Sequence, residues 1–155
     1  MAGTLMAETH FDVLIIGAGI SGIAAAYYVQ DRCPSKSYAI LEARSAMGGT
    51  WDLFKYPGIR SDSDLYTFGY SFRPWLDDRA FADGAKIKTY VEDTARENGI
   101  DRHINFGHSV SAASWDSKTA LWTVTVSTGG AVKTMTCHVL YMCPGYYDYE
   151  KGYLP

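Results

Sequence analysis

The chain has 155 residues, 47% of them apolar and 20% charged, with a formal net charge of −3. That length accommodates one domain with a real core, and the composition excludes a disordered chain. The weak acidic balance leaves no basic footprint for nucleic acid, and no apolar run approaches the length of a membrane span.

Met1–His10 is polar and rich in small residues. Without a basic start or a long apolar stretch it does not read as a secretory signal, so residues 1–10 are expected to be a tail and 11–155 a domain. Val13–Ile16 is a short apolar, β-branched run, the pattern of a buried parallel strand. Gly17-Ala18-Gly19-Ile20-Ser21-Gly22 follows at once. In a dinucleotide fingerprint the first glycine permits the tight turn. The second lets a pyrophosphate approach the backbone, and the third lets a helix pack closely on the strand. The helix, expected over Ile20–Asp31, offers free N–H groups and the positive end of its dipole to a phosphate. A second strand, Tyr38–Leu41, ends in Glu42, twenty residues after Gly22. A carboxylate at that place accepts the hydroxyls of an adenosine ribose. Strand, glycine turn, helix and acid in this order point to a dinucleotide site.

Gly48-Gly49 marks a second turn where the backbone passes close to something, and Tyr56-Pro57-Gly58 marks a third. Ser61, Asp62, Ser63 and Asp64 are all cap-forming types, so a short helix carrying Leu65, Tyr66 and Phe68 is expected there. Otherwise Trp51–Trp75 shows little regular pattern and reads as a long loop, a feature usually tied to function. Aromatic residues concentrate in this loop and again from Tyr141 to Tyr153, as core or as the lining of a cleft.

Asp83-Gly84 opens a helix expected over Ala85–Asn98, with Ile87, Tyr90, Val91, Thr94 and Ala95 on one face and Gly99 as its stop. Ile104–Val110 reads as a strand. Ala112–Asp116, Leu121–Ser127 and Ala131–Cys137 alternate and are separated by turns, the pattern of a three-stranded antiparallel meander. Val139–Cys143 is a further buried run, closed by Pro144-Gly145. The expected fold is therefore α/β, a doubly wound parallel sheet of Rossmann type with an inserted three-stranded antiparallel meander. Cys33, Cys137 and Cys143 have no metal-ligand spacing, nor do the four histidines, and no metal site is expected. Buried or partly buried reduced thiols fit a cytoplasmic protein.

Two further blocks of wording are more specific than the glycine triplet. GAGISG and Glu42 are followed by Gly48-Gly49-Thr50-Trp51 and by Tyr56-Pro57-Gly58-Ile59-Arg60-Ser61-Asp62. Together they resemble the FAD domain of class B flavoprotein monooxygenases, the group of the Baeyer–Villiger and flavin-containing monooxygenases. The wording is most similar to the branch that includes the mycobacterial ethionamide-activating enzymes. The resemblance runs from Asp12 to Tyr153. It implies an NADPH- and O2-dependent oxygenation of a small organic substrate beside a ketone, or at sulfur or nitrogen. It also implies that Gly17, Gly19, Ser21 and Gly22 hold the FAD pyrophosphate and that Glu42 takes the ribose. Gly49, Thr50 and Trp51, with Asp52 and Leu53 after them, would lie along the cofactor. Arg60, Ser61 and Asp62 would border the nicotinamide nucleotide, with Asp62 as a catalytic residue near the isoalloxazine. Val110 would meet adenine through its backbone. Relatives are expected to carry Ser or Thr where this chain has Pro144, which removes one N–H.

Family members carry a second glycine-rich motif for NADPH, a histidine-containing fingerprint and a flavin-side arginine. The 155 residues contain none of these. The resemblance thus implies the FAD-binding portion of such an enzyme, incomplete relative to the family, with the NADPH-binding half as its partner and no turnover by itself. Two other readings stand beside it: a nucleotide-binding module without turnover, and an NAD-dependent reductase. The Gly48-Gly49 pair and the aromatic loop speak against the reductase.

Overall fold

The structure, a computed structural model, describes residues 9–147 and residue 155. Its framework is one six-stranded sheet in the order β3-β2-β1-β6-β5-β4, comprising β1 (Thr9–Ile16), β2 (Tyr38–Glu42), β3 (Ile104–Phe106), β4 (Ser109–Asp116), β5 (Leu121–Thr128) and β6 (Ala131–Met142). β1 pairs in parallel with β2 and with β6, and β2 pairs in parallel with β3. β4, β5 and β6 pair antiparallel in sequence, which is the expected meander.

The alternation of β1 and β2 divides the core into two layers. Val13, Ile15, Tyr38 and Ile40 pack on the helical side, against α1 (Ile20–Arg32) and α4 (Gly84–Glu97). Leu14, Ile16, Ala39 and Leu41 pack on the other side, against Val124, Val126, Met135 and Cys137. The sheet therefore curls until the meander covers its second face, and β4 touches β2 although they are far apart in strand order. Both long helices described lie on one face, so the second layer is built of strands. The five residues expected on the inner face of α4 are all buried.

Several boundaries differ from the sequence reading. β1 begins at Thr9, inside the expected tail, because its first residues pair with Met135 and Thr136. The expected strand Ile104–Val110 is broken at Gly107 (φ +66°), which turns the chain from β3 into β4, so Val110 belongs to the meander. The third meander strand and the run Val139–Cys143 are one continuous strand, β6. Its first half pairs with β5 and its second half with β1. The loop Trp51–Trp75 holds the expected short helix, α3 (Leu65–Phe68), and at its start one that was not expected, α2 (Thr50–Leu53). Cys33 is exposed at the end of α1, where a buried or partly buried thiol was expected. Of the second aromatic cluster, Tyr149 and Tyr153 lie outside the described residues.

Candidate functional site at the carboxyl edge of the sheet

The carboxyl ends of β1 and β2 meet at the glycine turn, the place where open α/β sheets bind ligands. Gly17 has φ +103°, and a Cβ on it would stand 2.4 Å from the Cys143 carbonyl oxygen, so only glycine fits. A Cβ on Gly22 would stand 1.9 Å from the Gly17 carbonyl oxygen, the tight helix-to-strand packing that the sequence implied. Gly19 is the N-cap of α1, and no side chain caps the helix. The first-turn N–H groups of α1, Ser21 among them, thus lack the side-chain acceptor that usually meets them.

The second glycine pair belongs to the same site. Gly48 N–H donates to the Ala18 carbonyl at 2.9 Å, and a Cβ on Gly49 would lie 3.1 Å from the Gly19 Cα. Two glycine turns therefore touch backbone to backbone. It is the missing Cβ of Gly49, at φ +55°, that lets the turns come this close, since a Cβ on Gly19 would meet Gly49 only at an ordinary 3.6 Å. α2 starts at Thr50 directly behind this contact. It presents half-buried Thr50, Trp51 and Leu53, with Trp51 edge-on to Phe68 at 6.2 Å.

Glu42 is buried between the two turns. One carboxylate oxygen accepts from Ala18 N–H at 2.8 Å and the other from Arg44 N–H at 2.9 Å. The acid expected to meet a ribose is thus also the clamp of the glycine turn. Each oxygen keeps a further lone pair for a ligand hydroxyl.

Asp52 is 5% exposed and committed to the protein. One oxygen pairs with Lys88 Nζ at 2.9 Å and the other with Arg44 Nη2, while Arg44 Nη1 donates to the Gly49 carbonyl at 3.3 Å. Burial pushes the Asp52 carboxyl up, but the Lys88 hydrogen bond and the charges of Arg44 and Lys88 outweigh it. The carboxyl is held below its ordinary range. Sequence reasoning missed Arg44 and Lys88 because their shared partner is set by the packing of α2 on α4.

Val110 lies half-buried near this edge, since His108 N–H donates to the Glu42 carbonyl at 2.9 Å. The β4–β5 register slips between Val110 and Ala112, a bulge that frees backbone groups from strand pairing.

Arg60, Ser61 and Asp62 form a second locus. They line a cleft of about 500 Å³ together with Tyr56, Gly58 and Phe81. Ser61 is 3% exposed and exchanges hydrogen bonds with Ala82, so it anchors the loop from inside. Arg60 and Asp62 are exposed. Asp64, not Asp62, caps α3 by accepting from Thr67 N–H at 2.9 Å. Among the described residues no donor or cation is bonded to Asp62. Part of the aromatic loop proves to be core: Tyr70 and Trp75 are buried, and Tyr70 stacks on Phe72 and Tyr90.

Comparisons with known proteins bear on this edge of the sheet. A family model for the NAD(P)-binding Rossmann-like domain matches residues 15–79. The FAD-containing monooxygenase EthA of Mycobacterium tuberculosis is 58% identical over 146 residues, covering 94% of this chain and 30% of the relative. Over this stretch the chain is similar to FAD-containing monooxygenases. The putative FAD-containing monooxygenase MymA of the same organism is 54% identical over 148 residues, again covering 94% of this chain and 30% of the relative. A crystal structure of OTEMO complexed with FAD and NADP superposes with a TM-score of 0.80 at 27% identity, covering 96% of this chain and 27% of that one. The chain thus spans about 30% of the length of the curated relatives it matches. Among the described residues no helix is long and apolar enough to cross a membrane, and no group of His, Cys, Asp or Glu is placed to hold a metal ion.

Proposed function

We propose that this chain binds FAD and forms the FAD-binding portion of an NADPH- and O2-dependent monooxygenase that acts on small organic molecules in the cytoplasm. The observation that carries the reading is the backbone contact of the Gly19 and Gly49 turns around the buried Glu42 carboxylate. It belongs to a chain 58% identical to a protein named as a FAD-containing monooxygenase.

The residues fit a dinucleotide. Two of the cradle positions, Gly17 and Gly22, exclude any Cβ, and the N-terminus of α1 carries no side-chain cap. Gly17, Gly19, Ser21 and Gly22 would face the diphosphate, where N–H groups and the helix dipole favour negative charge. Glu42 would accept from the ribose with its remaining lone pairs, and the backbone beside Val110 would meet adenine. Gly49, Thr50, Trp51 and Leu53 would flank the rest of the cofactor, with Asp52 holding them from behind. Bound there, FAD supplies the redox and oxygen chemistry. The protein's part is to bind, orient and exclude water. Arg60 and Asp62 would stand on the side where NADPH and substrate approach, with Ser61 fixing their loop. Oxygenation beside a ketone and oxygenation at sulfur or nitrogen both fall within this reading.

Titration of the purified chain with FAD and with NAD, followed by flavin fluorescence and a visible spectrum, tests the proposal. Saturable FAD uptake in preference to NAD is expected. A folded sample that takes NAD and no flavin overturns it and favours the reductase reading, to which the matched NAD(P)-binding description would then belong. With FAD bound, addition of NADPH, O2 and a panel of ketones and sulfides should give no stoichiometric product from these 155 residues. The one fingerprint cradle in them is already taken by FAD.

A further inference from the structure

The Gly48-Gly49 turn is not rigid by its own chemistry. Both glycines have positive φ, +116° and +55°, and glycine has the most conformational freedom to lose. Something outside the turn must hold it against Gly19. The Gly48 N–H bond to the Ala18 carbonyl holds one side of it, and Lys88 is placed to act on the other. It projects from α4, and its stem passes the turn so closely that a Cβ on Gly48 would meet Lys88 Cγ at 3.4 Å. Its ammonium sits 2.9 Å from Asp52 Oδ1 and 3.4 Å from Glu92 Oε1. Asp52 in turn holds Arg44, whose other nitrogen holds the Gly49 carbonyl. The Asp52 backbone N–H donates to that same carbonyl at 3.1 Å. The line from Lys88 through Asp52 and Arg44 to Gly49 is therefore continuous, and it ends where the two glycine turns touch.

We propose that Lys88 is a positioning residue for dinucleotide binding, acting through Asp52 and Arg44 to hold the Gly48-Gly49 turn against the glycine turn of α1. The inference rests on the FAD reading above. Lys88 is about one-third exposed and Asp52 is nearly enclosed. Removing the lysine leaves Asp52 neutralised by Arg44, so the fold survives. Arg44 is then the one cation hydrogen-bonded to Asp52 among the described residues, with Lys55 acting on it through charge alone, and it is drawn off the Gly49 carbonyl, which loosens the turn. The role differs from that of an ordinary surface ion pair, which contributes little and would leave a ligand site untouched.

The test compares the native chain with Lys88→Met, Lys88→Arg, Asp52→Asn and the Lys88→Met/Asp52→Asn double variant. Three quantities are read: the FAD dissociation constant by fluorescence quenching, the melting temperature without FAD, and amide hydrogen exchange over residues 48–52. Lys88→Met should weaken FAD about fivefold to tenfold, between the effects of an exposed and a buried pair. It should also speed exchange at 48–52 while leaving the amides of β1 protected, and shift the melting temperature little. Lys88→Arg should retain most of the affinity. In the Asp52→Asn background the lysine substitution should have no further effect, because its route is gone. If Lys88→Met binds FAD as tightly as the native chain, or merely lowers the melting temperature, the inference is overturned and the FAD reading stands. A loss of affinity that persists unchanged in the Asp52→Asn background overturns it equally. Failure of the native chain itself to bind FAD overturns the functional reading, and this inference with it.

Discussion

Two loops that the family resemblance joins into one signature are built in opposite ways. At the carboxyl edge of the sheet the charged side chains are turned inward. Glu42 clamps two backbone N–H groups, and Asp52 is closed by Arg44 and Lys88. In the Arg60–Asp62 loop only Ser61 is turned in, and Arg60 and Asp62 face an open cleft. The first region is a preorganised cradle whose polar groups are already oriented before a ligand arrives. The second is a surface whose charges the fold itself does not use. Substitutions at the buried groups of the first, Gly17 and Glu42, should therefore move stability and binding together, and those at Arg60 and Asp62 in the second should leave stability alone.

The largest effect is expected at Gly17. An alanine there faces both the Cys143 carbonyl and a backbone angle that side chains rarely adopt. Gly17→Ala should cost about 3 kcal/mol of stability from overpacking and strain combined. Urea unfolding of the native and variant chains measures this, and a native-like midpoint would show that the turn is not the tight junction described.

Glu42→Gln comes next. An amide keeps one acceptor oxygen but points N–H groups at the backbone N–H of Ala18 or Arg44. A loss of about 1–3 kcal/mol is expected for the donor left unmet, together with weaker FAD binding. The sequence alone suggests a loss of binding without a loss of fold. Parallel measurement of melting temperature and flavin affinity separates the two, and unchanged stability would restore the simpler ribose-only role.

Acid should sharpen the contrast. The folded carboxyl of Asp52 titrates below the ordinary aspartate value of 3.8. Its contribution is therefore complete above that value and is lost as pH falls from there through the lower folded value. Asp52→Asn should flatten the acid limb of the stability profile below about pH 4. Asp12, Asp77 and Glu97 are also held low, so the limb should shrink rather than vanish.

The smallest effects belong to the second loop. Asp64→Ala should cost about 0.5–2 kcal/mol through loss of the α3 cap. Asp62→Ala should change stability by less than about 0.5 kcal/mol, as a surface position does. In a full-length relative Asp62→Ala should instead depress oxygenation. Equal destabilisation by the two variants, with turnover of the folded enzyme unchanged, would make Asp62 structural.

What the sequence by itself determined is local in origin. Gly22 was readable because the carbonyl that forbids its Cβ is that of Gly17, five residues back, and Gly17 because the turn itself needs a positive φ; the Cys143 carbonyl that also excludes a Cβ there is far away in sequence. The face of α4 was readable because a 3.6-residue period needs no knowledge of the partner. The meander strands were readable from alternation and turn residues. The tertiary structure decided whatever depends on a distant partner. Val139 was separated from the meander at the sequence level, because no local signal tells that one strand changes its partner from β5 to β1 midway. Ser61 and Asp62 look alike as cap formers, and only the pairing of the loop with Ala82 buries one and exposes the other. Gly49 has no room for a side chain because Gly19 lies beside it, and Asp52 is a strut because α4 brings Lys88 to it. Backbone dihedral preferences and periodicity act over a few residues and leave their mark in local wording. Ion pairs and packing act through space, between residues that only the folded chain brings together.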